Sequence, residues 1–196
     1  MAQAHIVVIG RTQEGKTFFV IYTLLPQLRY YVIFDTKHSD FNDSHGVIVD
    51  NIVDLIMAVN RREKVVYRCK YRGFANLSHE FNMVARALLL TNNYYLVCDE
   101  ISDVCGANYI GDDHEAFLRT GLSRGLISIA ATQRPQLMSK TIFTQSQVKF
   151  YFRVDDYDIK ALRGYCPFVE RIRDLKKWEY IATDGANYKI EKSEKR

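Results

Sequence analysis

No stretch of the sequence is apolar over the length that spans a bilayer, so stable membrane insertion is not expected. The first residues also lack a basic segment followed by a longer apolar stretch and a cleavage site, and a secretory leader is not expected either. Four cysteines (Cys69, Cys98, Cys105 and Cys166) show neither CxxC pairing nor a histidine at metal-ligand spacing. That pattern argues against a zinc site and a disulfide framework, and the thiols are expected to be reduced and intracellular. Internal repeats, low-complexity tracts and linkers are missing as well. A formal charge of +4 with 26% charged residues permits a nucleic-acid or acidic partner without requiring one.

What is present suits one folded unit. The chain has 196 residues, 47% of them hydrophobic, enough for a sizeable core. A single domain over residues 1–192 is expected, with a disordered tail at 193–196; the last residues, EKSEKR, look disordered.

The first strong signal is His5–Gly10 (HIVVIG), a short β-branched run of the kind that a buried parallel strand shows. A helix over Lys16–Leu28 follows, ended near Pro26. Further strands are expected at Tyr30–Asp35, weakly at Gly46–Asp50, and at Val65–Tyr71, Tyr94–Val97 and Leu126–Thr132. Helices are expected around Asn51–Asn60, at Ser78–Leu90 with Ser78 and Glu80 as capping residues, and at Asp112–Leu122. Beyond Pro135 come a strand near Val148–Val154, a short helix around Asp158–Gly164, and a hairpin of Trp178–Thr183 and Tyr188–Glu191 about Asp184-Gly185. Alternating strands and helices imply an α/β fold with a mainly parallel sheet covered on both faces. Ligands bind such sheets at the carboxyl ends of the strands.

Between the first strand and its helix lies GRTQEGKT, comprising Gly10, Arg11, Thr12, Gln13, Glu14, Gly15, Lys16 and Thr17. It matches G-x-x-x-x-G-K-[ST], in which backbone N–H groups wrap the phosphates of ATP or GTP at the positive end of a helix. Lys16 would neutralise the β- and γ-phosphates, and the Thr17 hydroxyl would ligate Mg²⁺. Asp99 ends an apolar strand and reads as the aspartate that holds Mg²⁺ through its water shell. Glu100 beside it reads as the general base for the attacking water. Gln133 ends the next strand, where its amide would contact the γ-phosphate or that water.

Together GRTQEGKT, IFDTK (Ile33–Lys37), VCDE (Val97–Glu100) and AATQRP (Ala130–Pro135) resemble the FtsK–HerA superfamily of DNA-pumping ATPases. The resemblance runs over residues 5–155 in the same motif order. It is strongest to the genome-packaging ATPases of membrane-containing icosahedral viruses, the archaeal turreted ones in particular. It implies a RecA-like core, a ring that is often a hexamer, and sites between subunits completed by a neighbour's arginine. It also implies double-stranded DNA as substrate, a capsid or portal vertex as partner, and the host cytoplasm as location. Carried over by position, Lys16 and Thr17 are Walker A, Asp99 and Glu100 Walker B, and Gln133 the sensor. Relatives such as FtsK often carry the finger arginine three residues before a glycine that aligns with Gly125. Leu122 stands there in this chain, leaving Arg124 and, more weakly, Arg119 as substitutes.

Asp35 and Lys37 fit a salt-bridged pair at least as well as a catalytic role. Arg61-Arg62, Arg68–Arg72 with Tyr71 and Phe74 nearby, and Arg171–Lys177 are the basic stretches open to DNA phosphates. A cellular HerA-like or conjugative motor, a P-loop kinase or nucleotide switch, and a nucleotide-sensing module remain as alternatives. The N/T-K-x-D guanine motif of GTPases is not found.

Overall fold

In the computed structural model, which describes residues 3–193, nine strands form one sheet. They are β1 (Ile6–Ile9), β2 (Tyr31–Asp35), β3 (Val47–Val49), β4 (Val65–Arg68), β5 (Tyr95–Cys98), β6 (Ile127–Thr132), β7 (Val148–Phe152), β8 (Glu179–Thr183) and β9 (Tyr188–Lys192). Their order is β3-β4-β2-β5-β6-β1-β7-β8-β9. The pairs from β3 to β7 are parallel, and β8 and β9 add an antiparallel hairpin at one edge.

The central strands are apolar without alternation because each faces two cores. In β1, Val7 and Ile9 pack into one core and Ile6 and Val8 into the other; in β2, Val32 and Phe34 oppose Tyr31 and Ile33 in the same way. The larger core takes residues from α2 (Ile52–Asn60), α3 (Phe74–Leu89), α4 (Asp112–Thr120), α5 (Lys140–Gln145), α6 (Asp156–Leu162) and α7 (Val169–Arg173). The smaller one is built on the helical segment after the phosphate loop, through Phe19, Val20, Leu24, Leu25 and Leu28. Phe19 is 1% exposed and its ring centroid lies 4.7 Å from Phe150, 5.6 Å from Phe152 and 4.8 Å from Tyr180. Burying a ring of this size contributes about 1.5–3 kcal/mol, and here it joins the loop's helix to β7 and β8.

Several expected boundaries move. The helix expected over Lys16–Leu28 is α-helical only in α1 (Lys16–Phe19), becomes a π-helix over Val20–Leu24, and ends as a 3₁₀ turn over Leu25–Gln27 with Pro26 in it. The helix expected from Ser78 begins at Phe74 after Gly73. Ser78 is buried, and Glu80 accepts a 2.8 Å hydrogen bond from the Tyr67 hydroxyl, so neither caps the helix. Strand β4 ends at Arg68, before the expected Tyr71, and α4 gives way after Thr120 to a 3₁₀ turn over Gly121–Arg124. Helices α5 and α7 were not anticipated. Both are short, five or six residues, and too brief for a helical period to show.

The hairpin strand expected over Tyr188–Glu191 is β9, which runs on to Lys192, and Ser193, in the expected tail, is buried with its N–H donating to the Trp178 carbonyl at 2.8 Å. The rest of the expected tail, residues 194–196, lies outside the described residues. All four cysteines are buried and free. Among the described residues no helix is long and apolar enough to cross a membrane.

Candidate functional site: a phosphate loop facing two strand-end carboxylates

Strands β5, β6 and β1 are adjacent, and their carboxyl ends bring three separate parts of the sequence together. The phosphate loop starts between two strand ends: Gly10 N–H donates to the Thr132 carbonyl at 3.2 Å and Arg11 N–H to the Arg153 carbonyl at 2.9 Å. A side chain at Gly10 would not fit, since a Cβ there would stand 2.5 Å from Phe152 Cβ. Gln13 (φ 64) and Gly15 (φ 107) are left-handed, the kind of turn in which successive N–H groups can form an anion-binding concavity.

Lys16 is buried, and its ammonium donates to the Arg11 carbonyl at 2.9 Å, folded back over the loop. Burial pulls its pKa down, while the charges of Glu100 and Asp99 act the other way. The Thr17 hydroxyl lies 3.0 Å from both carboxylate oxygens of Asp99. A hydroxyl and a carboxylate at that separation are the hard oxygen donors that Mg²⁺ prefers, with waters and phosphates supplying the remaining positions. No group of three or more His, Cys, Asp or Glu that could hold a metal by itself occurs among the described residues.

Glu100 is 3% exposed and held by donors from two sides. Its Oε1 accepts from the Ser102 hydroxyl at 2.6 Å and the Thr132 hydroxyl at 2.7 Å, and its Oε2 from the Gln133 N–H at 3.3 Å. The Gln133 side-chain oxygen in turn accepts from the Thr12 hydroxyl. Loop, Asp99, Glu100 and Gln133 therefore form one connected cluster.

Three arrangements in and beside this cluster were not anticipated. Lys37 pairs with Asp99, Nζ to Oδ2 3.1 Å, instead of with Asp35. Burial lowers its pKa, but the Asp99 charge and hydrogen bond outweigh that and hold the ammonium above its usual value. Asp35 instead organises the turn after β2, accepting from the N–H groups of Lys37 at 3.2 Å and His38 at 2.8 Å, with Arg68 3.5 Å away. Glu14, buried in the loop, accepts from Arg11 at 2.8 Å and from both Nε and the terminal nitrogen of Arg153 at 3.1 and 2.8 Å. Burial pushes its carboxyl up, yet the arginine hydrogen bonds prevail and hold it below the usual carboxylate value. The third is Asp158, near the start of α6, which lines a cleft together with Arg11, Thr12 and Gln133. Burial and the neighbouring Asp155 push its carboxyl up to about 6.

The structure does not bring the finger substitutes to this cluster. Arg124 precedes β6, at the end of that strand opposite Gln133, roughly 20 Å away for six residues of strand. Its guanidinium donates to the carbonyls of Leu89 and Thr91 and to the Asn92 side chain, closing the end of α3. Arg119 pairs with Glu115 on its own helix at 2.6 Å. The basic stretches also divide. Arg68 and Arg72 donate inward, to the carbonyls of Phe41 and Thr36, and leave Lys70, Tyr71 and Phe74 exposed.

No protein-family model matches the chain, and no curated protein matches it. Solved structures do. The genome packaging NTPase of Sulfolobus turreted icosahedral virus 2, in complex with sulfate, superposes with a TM-score of 0.81 at 18% identity, covering 96% of each chain. The same NTPase in complex with ATP-gammaS gives 0.80 at 16% identity over 98% of each chain. VirB4 of Thermoanaerobacter pseudethanolicus gives 0.70 at 10% identity, over 98% of this chain and 89% of that one. The chain thus has, across nearly its whole length, the α/β fold of these proteins.

Proposed function

We propose that the protein is an ATP-hydrolysing motor that translocates double-stranded DNA and packages a viral genome. The observation that carries the hydrolytic half is the contact of Thr17 with Asp99, together with Glu100 held rigidly beside it. A site built only to bind phosphate has no need of a second carboxylate with three donors fixing its orientation.

In this reading the N–H groups of Gly10–Thr17 surround the phosphates. Lys16 leaves the Arg11 carbonyl to place its charge on the β- and γ-phosphates. Thr17 and Asp99 would hold Mg²⁺, which when bound neutralises charge developing on the phosphates. Glu100 takes the proton of the attacking water, and its hydrogen bonds from Ser102, Thr132 and Gln133 fix the carboxylate for that transfer. Gln133 joins the γ-phosphate position to the loop through Thr12, so loss of that phosphate is transmitted along β6.

The assignment of DNA and of packaging draws on the motif order and on neighbours of similar fold that are a genome packaging NTPase and a DNA-packaging ATPase. A ring of subunits, six in a hexamer, would place an arginine of one copy at the next copy's site, and a capsid or portal vertex would anchor it. Arg124 serves that role only by releasing the carbonyls it now caps. For DNA the exposed Lys70, Tyr71 and Phe74 supply charge and stacking surface at the carboxyl end of the sheet.

The experiment is ATP turnover and ATP binding by Glu100→Gln. Hydrolysis is expected to fall by about 10²–10⁴-fold, the contribution of a positioned general base, with binding retained. Turnover within twofold of the parent removes Glu100 from the mechanism.

A further inference from the structure

Three aromatic side chains meet beside the phosphate loop and have no part in the chemistry above. Phe18 directly follows Thr17, and its ring centroid lies 4.4 Å from Tyr22 and 5.2 Å from Trp178, edge-on to the latter. Trp178 lies against the loop itself: a Cβ on Gly15 would stand 2.5 Å from its Cε3 and 2.9 Å from its Cζ3. The indole therefore covers the Cα of the glycine next to Lys16.

Two observations set this cluster apart from ordinary core. Trp178 has φ 71, a left-handed backbone rare for a bulky residue and sustained only where the surroundings impose it. Ser193 N–H holds its carbonyl at 2.8 Å. The rings are also incompletely covered. Tyr22 is 58% exposed, and Phe18 and Trp178 are half-buried, whereas the adjacent Phe19 is 1% exposed. Packing of the C-terminal hairpin onto the helix accounts for Phe19 but leaves the outer aromatic surface open.

We propose that Phe18, Tyr22 and Trp178 form the stacking platform for the base of the nucleoside triphosphate whose phosphates occupy Gly10–Thr17. The proposal rests on the phosphate-loop reading and adds the base to it. Continuity selects this occupant. The platform adjoins Gly15 and Thr17 without interruption, so a ligand anchored there by phosphate has its base within reach of the rings. Stacking uses the π-face that every base possesses, so the site is selective for nucleotides over inorganic polyphosphate but discriminates weakly between ATP and GTP.

The test compares an imido analogue of ATP with inorganic tripolyphosphate, each with Mg²⁺, by calorimetric titration of the parent, Tyr22→Ala and Trp178→Ala. The parent is expected to bind the analogue on the order of tenfold more tightly than Tyr22→Ala does, in line with loss of one stacking contact. Affinity for tripolyphosphate should be the same in both. Trp178 is the only tryptophan, so saturable quenching of its fluorescence by the ATP analogue, with the GTP analogue within a few-fold, gives a readout that needs no substitution. Equal losses for both ligands would mean that the rings merely support the loop. Equal affinity of the parent for both ligands overturns the platform while leaving the phosphate site intact. An altered oligomeric state of Tyr22→Ala with unchanged nucleotide affinity makes the patch a subunit contact and also overturns it. Binding of neither ligand by the parent would instead refute the phosphate-loop reading.

Discussion

Removing the Glu14 carboxylate measures how firmly the phosphate loop is clamped to β7. Glu14 is 4% exposed, and its Oε1 receives two hydrogen bonds from Arg153 and one from Arg11. Breaking a buried ion pair by deleting one partner costs about 3–5 kcal/mol. That full figure does not apply here, because the Arg153 side chain is 33% exposed and regains water once Glu14 is gone. Arg11 is open to solvent and keeps Asp155 at 3.0 Å, so its contact is left out of the sum. Counting only the charge-assisted contact to Arg153 gives about 2 kcal/mol for Glu14→Ala, or a fall in Tm of roughly 4–8 °C for a domain of this size. Glu14→Gln keeps an acceptor and should lose less. The pH dependence adds a second reading. The folded carboxyl titrates below its ordinary value of 4.5, so its stabilisation is complete above pH 4.5 and is lost as pH falls through the folded value. The gap between parent and variant should close across that acidic range. A calorimetric Tm for Glu14→Ala within one degree of the parent at pH 7 would refute the clamp.

Two further outcomes follow from neighbouring groups. Lys37 occupies Asp99 with a cation, so Lys37→Met should lower the Mg²⁺ concentration for half-maximal turnover by about two- to fivefold, the scale of a half-exposed ion pair; an unchanged or raised requirement shows that Lys37 assists the nucleotide instead. Burial holds the His114 pKa down at about 3 and lowers that of His5. Both therefore bind protons more readily when unfolded, and stability is complete above about pH 6.5 and erodes as pH falls toward 3. His114→Leu should flatten the Tm profile between those limits, and an unaltered slope places the acid sensitivity elsewhere.

The sheet was legible because its strands face two cores and so read as unbroken apolar runs, and because each motif of the candidate site follows one of them directly. Gly10–Thr17, Asp99 and Glu100 are spaced by backbone rules, a loop between strand and helix and a strand end, which local sequence records. Partner choice was less legible. Lys37 stands two residues from Asp35 in sequence yet reaches Asp99, since the turn after β2 directs the Asp35 carboxylate onto backbone N–H groups. Arg153 and Trp178 reach the loop through the pairing of β1 with β7 and of β7 with β8, which brings each of them against a loop residue more than a hundred positions earlier in the chain. Arg124 looked free in sequence because the carbonyls it caps belong to the end of α3, over thirty residues earlier.

The central claim, that this phosphate loop drives a DNA motor, is tested most directly by the steady-state ATPase rate with and without double-stranded DNA over a range of protein concentrations. Stimulation by DNA that steepens with protein concentration, and that disappears in Glu100→Gln, is the expected result. ATP turnover that double-stranded DNA leaves unchanged at every protein concentration would contradict it.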